Sequence, residues 1–253
     1  MPGDHLGDDP KGKGMKRRVV ITGMGICAPN GTDLRTFERA MFQGLSGIRK
    51  IPVLEQLGFR CQVAGQPEVS EETLQACFTA PELKGLNCSG LVYGTVAGLQ
   101  AWRDAGLEIN HGEDPDWDSG VVFGTSVLGV DKFREAIHLV DEGRVRRLGS
   151  TTVPQTMASG ISAFLGGKLG CGNLVSTNSS ACSTGTEAIL SAYQRVRNGK
   201  ATRMLAGSCS DSGPYIWGGF DAMRVVPSAY NDTPETASRP LAASAAGFVP
   251  SSG

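Results

Sequence analysis

One cysteine carries the strongest chemical signal in the chain. Cys182 lies in Asn178-Ser179-Ser180-Ala181-Cys182-Ser183-Thr184-Gly185-Thr186-Glu187-Ala188-Ile189, between an apolar, β-branched run and a helical pattern. The run Asn173-Leu174-Val175-Ser176-Thr177, set off by Gly170-Cys171-Gly172, reads as a short buried strand. Downstream, Ala188, Ile189, Ala192, Tyr193 and Val196 share one helical face. Ser183 or Thr184 is placed to cap that helix, Arg195, Arg197 and Lys200 surround its end, and Gly199 is placed as its stop. A thiol in the first turn of such a helix faces unpaired backbone N–H groups and the positive end of the macrodipole, which favour the thiolate. The same N–H groups can hold the oxyanion of a thioester under attack, and small neighbours keep the approach open. The competing reading is a buried structural cysteine, the common fate of a free thiol.

Strands and helices must alternate to position this elbow. Arg17 to Thr22 reads as a strand, followed by a helix on Leu34, Phe37, Ala40 and Met41 with Thr32 or Asp33 as cap. Residues Gly47 to Pro81 are irregular, with a short strand near Phe59 to Ala64. Leu91, Val92, Val96, Leu99 and Trp102 mark a long amphipathic helix ending near Gly106. A strand over Val121 to Gly124 precedes a helix carrying Phe133, Ile137 and Val140, and Val153 to Leu169 reads as one further close-packing helix. With the elbow and a strand over Met204 to Gly207, the pattern is a doubly wound α/β unit.

Composition narrows the possible roles. The chain has 253 residues, 40% of them hydrophobic, enough for a sizeable core in one or two domains. A formal charge of −1 with scattered lysines and arginines argues against nucleic-acid or membrane-surface binding. Seven cysteines show neither a Cys-x-x-Cys pair nor a nearby histidine cluster, so no metal site or disulfide framework is expected and a reducing cytoplasm is the simplest setting. No run is long and apolar enough to span a bilayer. Residues 1–14, polar and rich in Gly and Asp, read as a flexible leader outside the fold, which leaves 15–253 as the domain.

Two other signals compete for attention. Gly23-Met24-Gly25-Ile26-Cys27-Ala28 fits a dinucleotide fingerprint, yet Pro29-Asn30-Gly31 breaks the chain where a phosphate-binding helix should run, so no cofactor is expected. Of the three histidines, His5 lies in the leader, His111 in a polar loop and His138 on a helix; none sits in a recognisable catalytic motif, and surface or packing roles are expected.

The stretch Ala181-Cys182-Ser183-Thr184-Gly185 resembles the active-site motif of the β-ketoacyl synthases, the condensing enzymes of fatty acid and polyketide synthesis, in their elongating class. Further stretches match in order: Arg17 to Gly25, Gly44-Leu45-Ser46-Gly47-Ile48, Gly120 to Thr125, Lys200 to Gly207, Phe220 to Arg224, and Ala237-Ser238-Arg239-Pro240. The resemblance runs from about Lys16 to the end of the chain and covers the family's N-terminal half. It implies a thiolase-like layered α/β fold, with a mixed sheet flanked by helices. It also implies that Cys182 accepts an acyl group from the phosphopantetheine thioester of an acyl carrier protein, after which decarboxylating malonyl carrier protein extends the chain by two carbons. The family's two catalytic histidines, its later lysine and its gating phenylalanine belong to the other half, so this chain alone is expected to acylate at Cys182 with little condensation.

The resemblance carries further expectations. By position, Arg224 matches a family arginine at the carrier-protein contact, and Lys132 and Arg134 lie in the other region that resembles a docking surface. The family forms homodimers through the strand before the nucleophile, here about Leu174 to Asn178. Leu241, Ala242 and Ala246 depart from the family's aromatic and acidic residues, which removes acceptors expected to order that loop. The alternatives are a thiolase-like acyltransferase acting on acyl-coenzyme A and a non-catalytic partner similar to chain-length factors; the latter replace the nucleophile, and the intact Cys182 argues against them.

Overall fold

In the computed structural model, which describes residues 17–253, the chain begins with α1 (Leu34–Gln43), β1 (Ile48–Lys50), α2 (Pro52–Gln56), β2 (Val63–Gly65), α3 (Glu71–Cys77) and α4 (Ala80–Leu83). It continues through α5 (Ser89–Asp104), β3 (Ser119–Thr125), α6 (Val130–Asp141), α7 (Thr152–Thr156) and α8 (Gly160–Leu169). Then come β4 (Val175–Ser176), α9 (Thr184–Arg197), β5 (Arg203–Cys209) and α10 (Pro214–Ala222). Local chemistry sets several bounds. Asp33 accepts the Thr36 N–H to open α1, and Gly44, at φ 64°, closes it in the left-handed conformation.

The central sheet has the order β4-β3-β5. Every pairing in it is parallel, and antiparallel pairing is found in the β1-β2 ribbon and an isolated Ala28–Gly31 bridge, so the sheet expected to be mixed is parallel among the described residues. All seven residues of β3 are buried, which explains a sequence with no polar alternation: both faces are covered. On one face lie α5 and α8, packed against each other. Gly94 and Gly98 make that approach possible, because a Cβ on either would come within 2.8 Å of Ile161 or Leu165. α9 packs on β3 and β5, burying Ala188 and Ala192 but leaving Ile189 and Leu190 exposed.

A single carboxylate ties the sheet to two helices. Asp211, just past β5 and 3% exposed, accepts the Gly90 N–H at 2.6 Å and the Ser89 hydroxyl at 3.3 Å through Oδ1. Its Oδ2 accepts the Val130 N–H at 3.0 Å. The charge therefore sits at the start of both α5 and α6, where unpaired N–H groups need an acceptor.

Several elements differ from the pattern read in the sequence. Residues 17–22 form no strand. Their neighbourhood offers side-chain anchors in place of a strand partner: Met24 N–H donates to Asp104 and Ile26 N–H to Gln100, both on α5. Val20 and Ile21 stay exposed. Gly23 and Gly25 lie against the α5 backbone, where a Cβ would sit 2.4 Å and 2.0 Å from the Ala101 and Ala97 oxygens, so the dinucleotide-like glycines serve helix packing. The helix expected over Val153 to Leu169 is broken into α7 and α8 at an extended Met157. α6 turns Lys132 inward and leaves Phe133, Ile137 and Val140 exposed, the reverse of its apolar pattern. The strand expected near Phe59 to Ala64 is β2, over Val63–Gly65.

Replacing Asp211 by Ala should lower unfolding stability by about 3 kcal/mol or more, since several charge-assisted hydrogen bonds are lost and buried donors are stranded. Urea denaturation measures this, with Asp118→Ala on the surface as the comparison.

Candidate active site

The elbow around Cys182 is built from the edge of the sheet. Beyond the two residues of β4, the ladder continues: the Leu174 carbonyl accepts the Val121 N–H at 2.7 Å and the Asn178 carbonyl accepts the Thr125 N–H at 3.2 Å. The backbone then turns through a 3₁₀ turn at Ala181–Ser183 into α9. Ala181 has φ 48°, a left-handed conformation costing an alanine about 1 kcal/mol. Close hydrogen bonds hold it there. Thr184 Oγ1 accepts the Ser180 N–H at 2.8 Å and donates to the Ala181 carbonyl at 2.7 Å. Asn178 Nδ2 donates to the Thr184 carbonyl at 2.8 Å, the Ser126 hydroxyl donates to the Ala181 carbonyl at 3.3 Å, and the Ser180 hydroxyl donates to Glu187. Thr184 thus acts from inside the helix, where the sequence suggested an N-cap; Ser183 takes the cap position without a side-chain bond.

Gly124 makes the elbow fit against β3. A Cβ there would lie 2.3 Å from Thr184 Cγ2 and 2.5 Å from Asn178 Oδ1, so any larger residue pushes directly on the turn. The outcome is a thiol on the surface: Cys182 is exposed, and the structural-cysteine reading does not hold. Cys27, Cys61, Cys77, Cys88 and Cys209 are buried and Cys171 is half-buried. Burial pushes the Cys27 and Cys88 thiols up to about 12 and Cys171 up to about 11. It also raises Cys61, Cys77 and Cys209. Those six are poor nucleophiles at neutral pH.

Of the three basic residues assigned to docking, Lys132 is misplaced. It is 4% exposed and its ammonium is 3.1 Å from Glu135, which also accepts from Asn87. A buried, paired charge has no field to offer a partner, and the helix face that buries it could not be read from the sequence. Arg134 is exposed, with its guanidinium 4.6 Å from the centre of the Tyr215 ring on α10. Arg224, just beyond that helix, is exposed with φ 59°. The sequence reading passed over Arg144, Arg146 and Arg147, all exposed; Arg144 lines a cavity of about 510 Å³ together with Arg134 and His138. Their signal was the close spacing of Arg-Val-Arg-Arg in a loop. His111 and His138 are both exposed, and His5 lies outside the described residues.

The loop after Pro240 keeps its order without the family's carboxylates. Tyr230 O–H donates to the Ser244 carbonyl at 2.6 Å, and Arg239 Nη1 donates to the Ser244 hydroxyl at 2.9 Å. The buried Nε of Arg239 finds no acceptor among the described residues.

Known proteins match this arrangement. The family model described as "Beta-ketoacyl synthase, N-terminal domain" matches residues 16–253. The chain is 34% identical to a putative polyketide beta-ketoacyl synthase 1 of Streptomyces halstedii, over 93% of this chain and 56% of that protein. It is 31% identical to the 3-oxoacyl-[acyl-carrier-protein] synthase 2 of Vibrio cholerae, over 92% of this chain and 55% of that protein. A beta-ketoacyl synthase structure from Burkholderia phymatum superposes with a TM-score of 0.81 at 27% identity, covering 94% of this chain and 57% of that one. The chain therefore spans little more than half the length of these relatives.

Gly124→Ala should destabilise the protein by about 2 kcal/mol through overpacking of the elbow. Gly219→Ala, whose Cβ meets nothing within 4 Å, should be neutral or mildly stabilising by the same urea titration.

Proposed function

The chain belongs to the beta-ketoacyl synthase family, and from that premise we propose that it works in acyl-chain elongation, with Cys182 as the residue that takes the acyl group. The observation that carries this reading is the single exposed thiol, at a turn into a helix, in a protein whose six other thiols are withdrawn from solvent in whole or part. The Cys182 sulfur attacks the thioester carbonyl of an acyl group borne on a carrier protein. A tetrahedral oxyanion forms, the carbon–sulfur bond to the carrier breaks, and the carrier leaves as its thiol with the proton that Cys182 gives up. Among the described residues the Cys182 N–H has no acceptor, which leaves it available to that oxyanion.

In the second step a malonyl unit on another carrier loses carbon dioxide. Its carbanion forms the new carbon–carbon bond as the bond to the Cys182 sulfur breaks. That step needs acid–base groups beside the thioester, and among the described residues His111, in a loop, and His138, on α6, are both exposed and neither belongs to the hydrogen-bonded turn around Cys182. Condensation therefore requires the remainder of the family's site.

Arg134, Arg224 and the Arg144–Arg147 loop suit a carrier protein of acidic surface. Arg134 on α6 stacks on Tyr215 of α10, the helix that leads to Arg224, which links the two basic regions. β4, an edge strand with Leu174 and Val175 exposed, suits pairing with a second copy, as light scattering would register. A reducing cytoplasm suits its free thiols.

Incubation with an acyl-carrier thioester should place one acyl group on the Cys182 peptide, detected by mass spectrometry, and none on the Cys182→Ala protein. Adding malonyl carrier protein should yield little or no elongated product from this chain alone. Acylation elsewhere, or none, would contradict the reading.

A further inference from the structure

Thr184 stands out in the elbow because its hydroxyl is fully used and its side chain is not at the surface. It is 3% exposed, accepts from Ser180 N–H and donates to the Ala181 carbonyl. Those two bonds bracket the one residue of the turn that holds a left-handed conformation, Ala181. Its own carbonyl is held by Asn178, which in turn is hydrogen-bonded to β3 through Thr125. A chain of contacts thus runs from the central strand to the backbone immediately before Cys182, and Thr184 is its last link.

We propose that Thr184 is a positioning residue for acyl transfer: its hydroxyl holds Ala181 in the left-handed conformation and so fixes the direction in which the Cys182 sulfur and N–H project from the turn. This rests on the acyl-transfer reading above. A hydroxyl is required, since one atom must both accept and donate. Serine can do both and valine neither, although valine matches threonine in shape. Without the hydroxyl the Ser180 N–H loses its acceptor, the Ala181 carbonyl loses one of its donors, and the turn relaxes toward an ordinary conformation. The thiol remains on the surface after such a change. What is lost is the fixed orientation of sulfur and N–H toward an incoming thioester, and acyl transfer depends on that orientation where simple alkylation does not.

The test compares wild type, Thr184→Val and Thr184→Ser by two rates at Cys182: transfer from an acyl-carrier thioester and alkylation by iodoacetamide, both resolved by peptide mass. For Thr184→Val, transfer should fall about tenfold or more while alkylation stays within about threefold of wild type, and Thr184→Ser should restore transfer to within about twofold. Equal transfer in Thr184→Val and wild type overturns the proposal. So does a parallel fall in both rates with new labelling of the buried cysteines, which would mark a structural role only. If Thr184→Val does not fold, Ser126→Ala removes one exposed bond to the same Ala181 carbonyl. A transfer rate lowered about threefold then supports the proposal, and an unchanged rate contradicts it. Absence of acylation in wild type sinks the functional reading and this role with it, an outcome distinct from a rate insensitive to residue 184.

Discussion

Burial of β3 on both faces is the constraint from which the rest of the arrangement follows. A strand with no solvent face must be covered twice, and the chain does so with α5 and α8 on one side and α9 on the other. Parallel pairing of β4, β3 and β5 means that the segment leaving β4 must cross to reach β5, and α9 is that crossing. Its start therefore lies at the carboxyl end of the sheet, the location that open α/β folds use for ligands and chemistry. Gly124 on β3 decides how closely the turn can approach, because Thr184 and Asn178 occupy the space a side chain would need.

The thiol inventory shows the same economy. Burial raises six cysteines away from the nucleophilic state, while the turn holds Cys182 outside the core. Presentation at this site is a property of backbone geometry. A left-handed Ala181, closed by bonds from Thr184 and Ser126, sets where the next side chain projects.

The elbow was legible because its information is local: a β-branched run, small residues, a helical face and a glycine stop lie within about thirty positions of one another. α5 and β3 were legible for the same reason, through a long apolar stripe and an unbroken apolar run. What failed was information held by neighbours. Val19, Val20 and Ile21 have strand propensity, yet no ladder forms over them, and the residues that follow are held by side chains of α5. Phe133, Ile137 and Val140 have the spacing of a core face, yet α6 buries Lys132 instead, which takes that lysine out of the docking surface proposed above. The order of the 241–246 loop depends on Tyr230 and Ser244, a pairing fourteen residues apart that no motif announces.

The central claim is that the fold presents one cysteine for chemistry and withdraws the others. Peptide-resolved alkylation of the folded protein with iodoacetamide at neutral pH tests it most directly. The account predicts that Cys182 is modified first, Cys171 far more slowly, and Cys27, Cys61, Cys77, Cys88 and Cys209 only on unfolding. Modification of any buried cysteine at the rate of Cys182, or a Cys182 that stays unmodified, would contradict it.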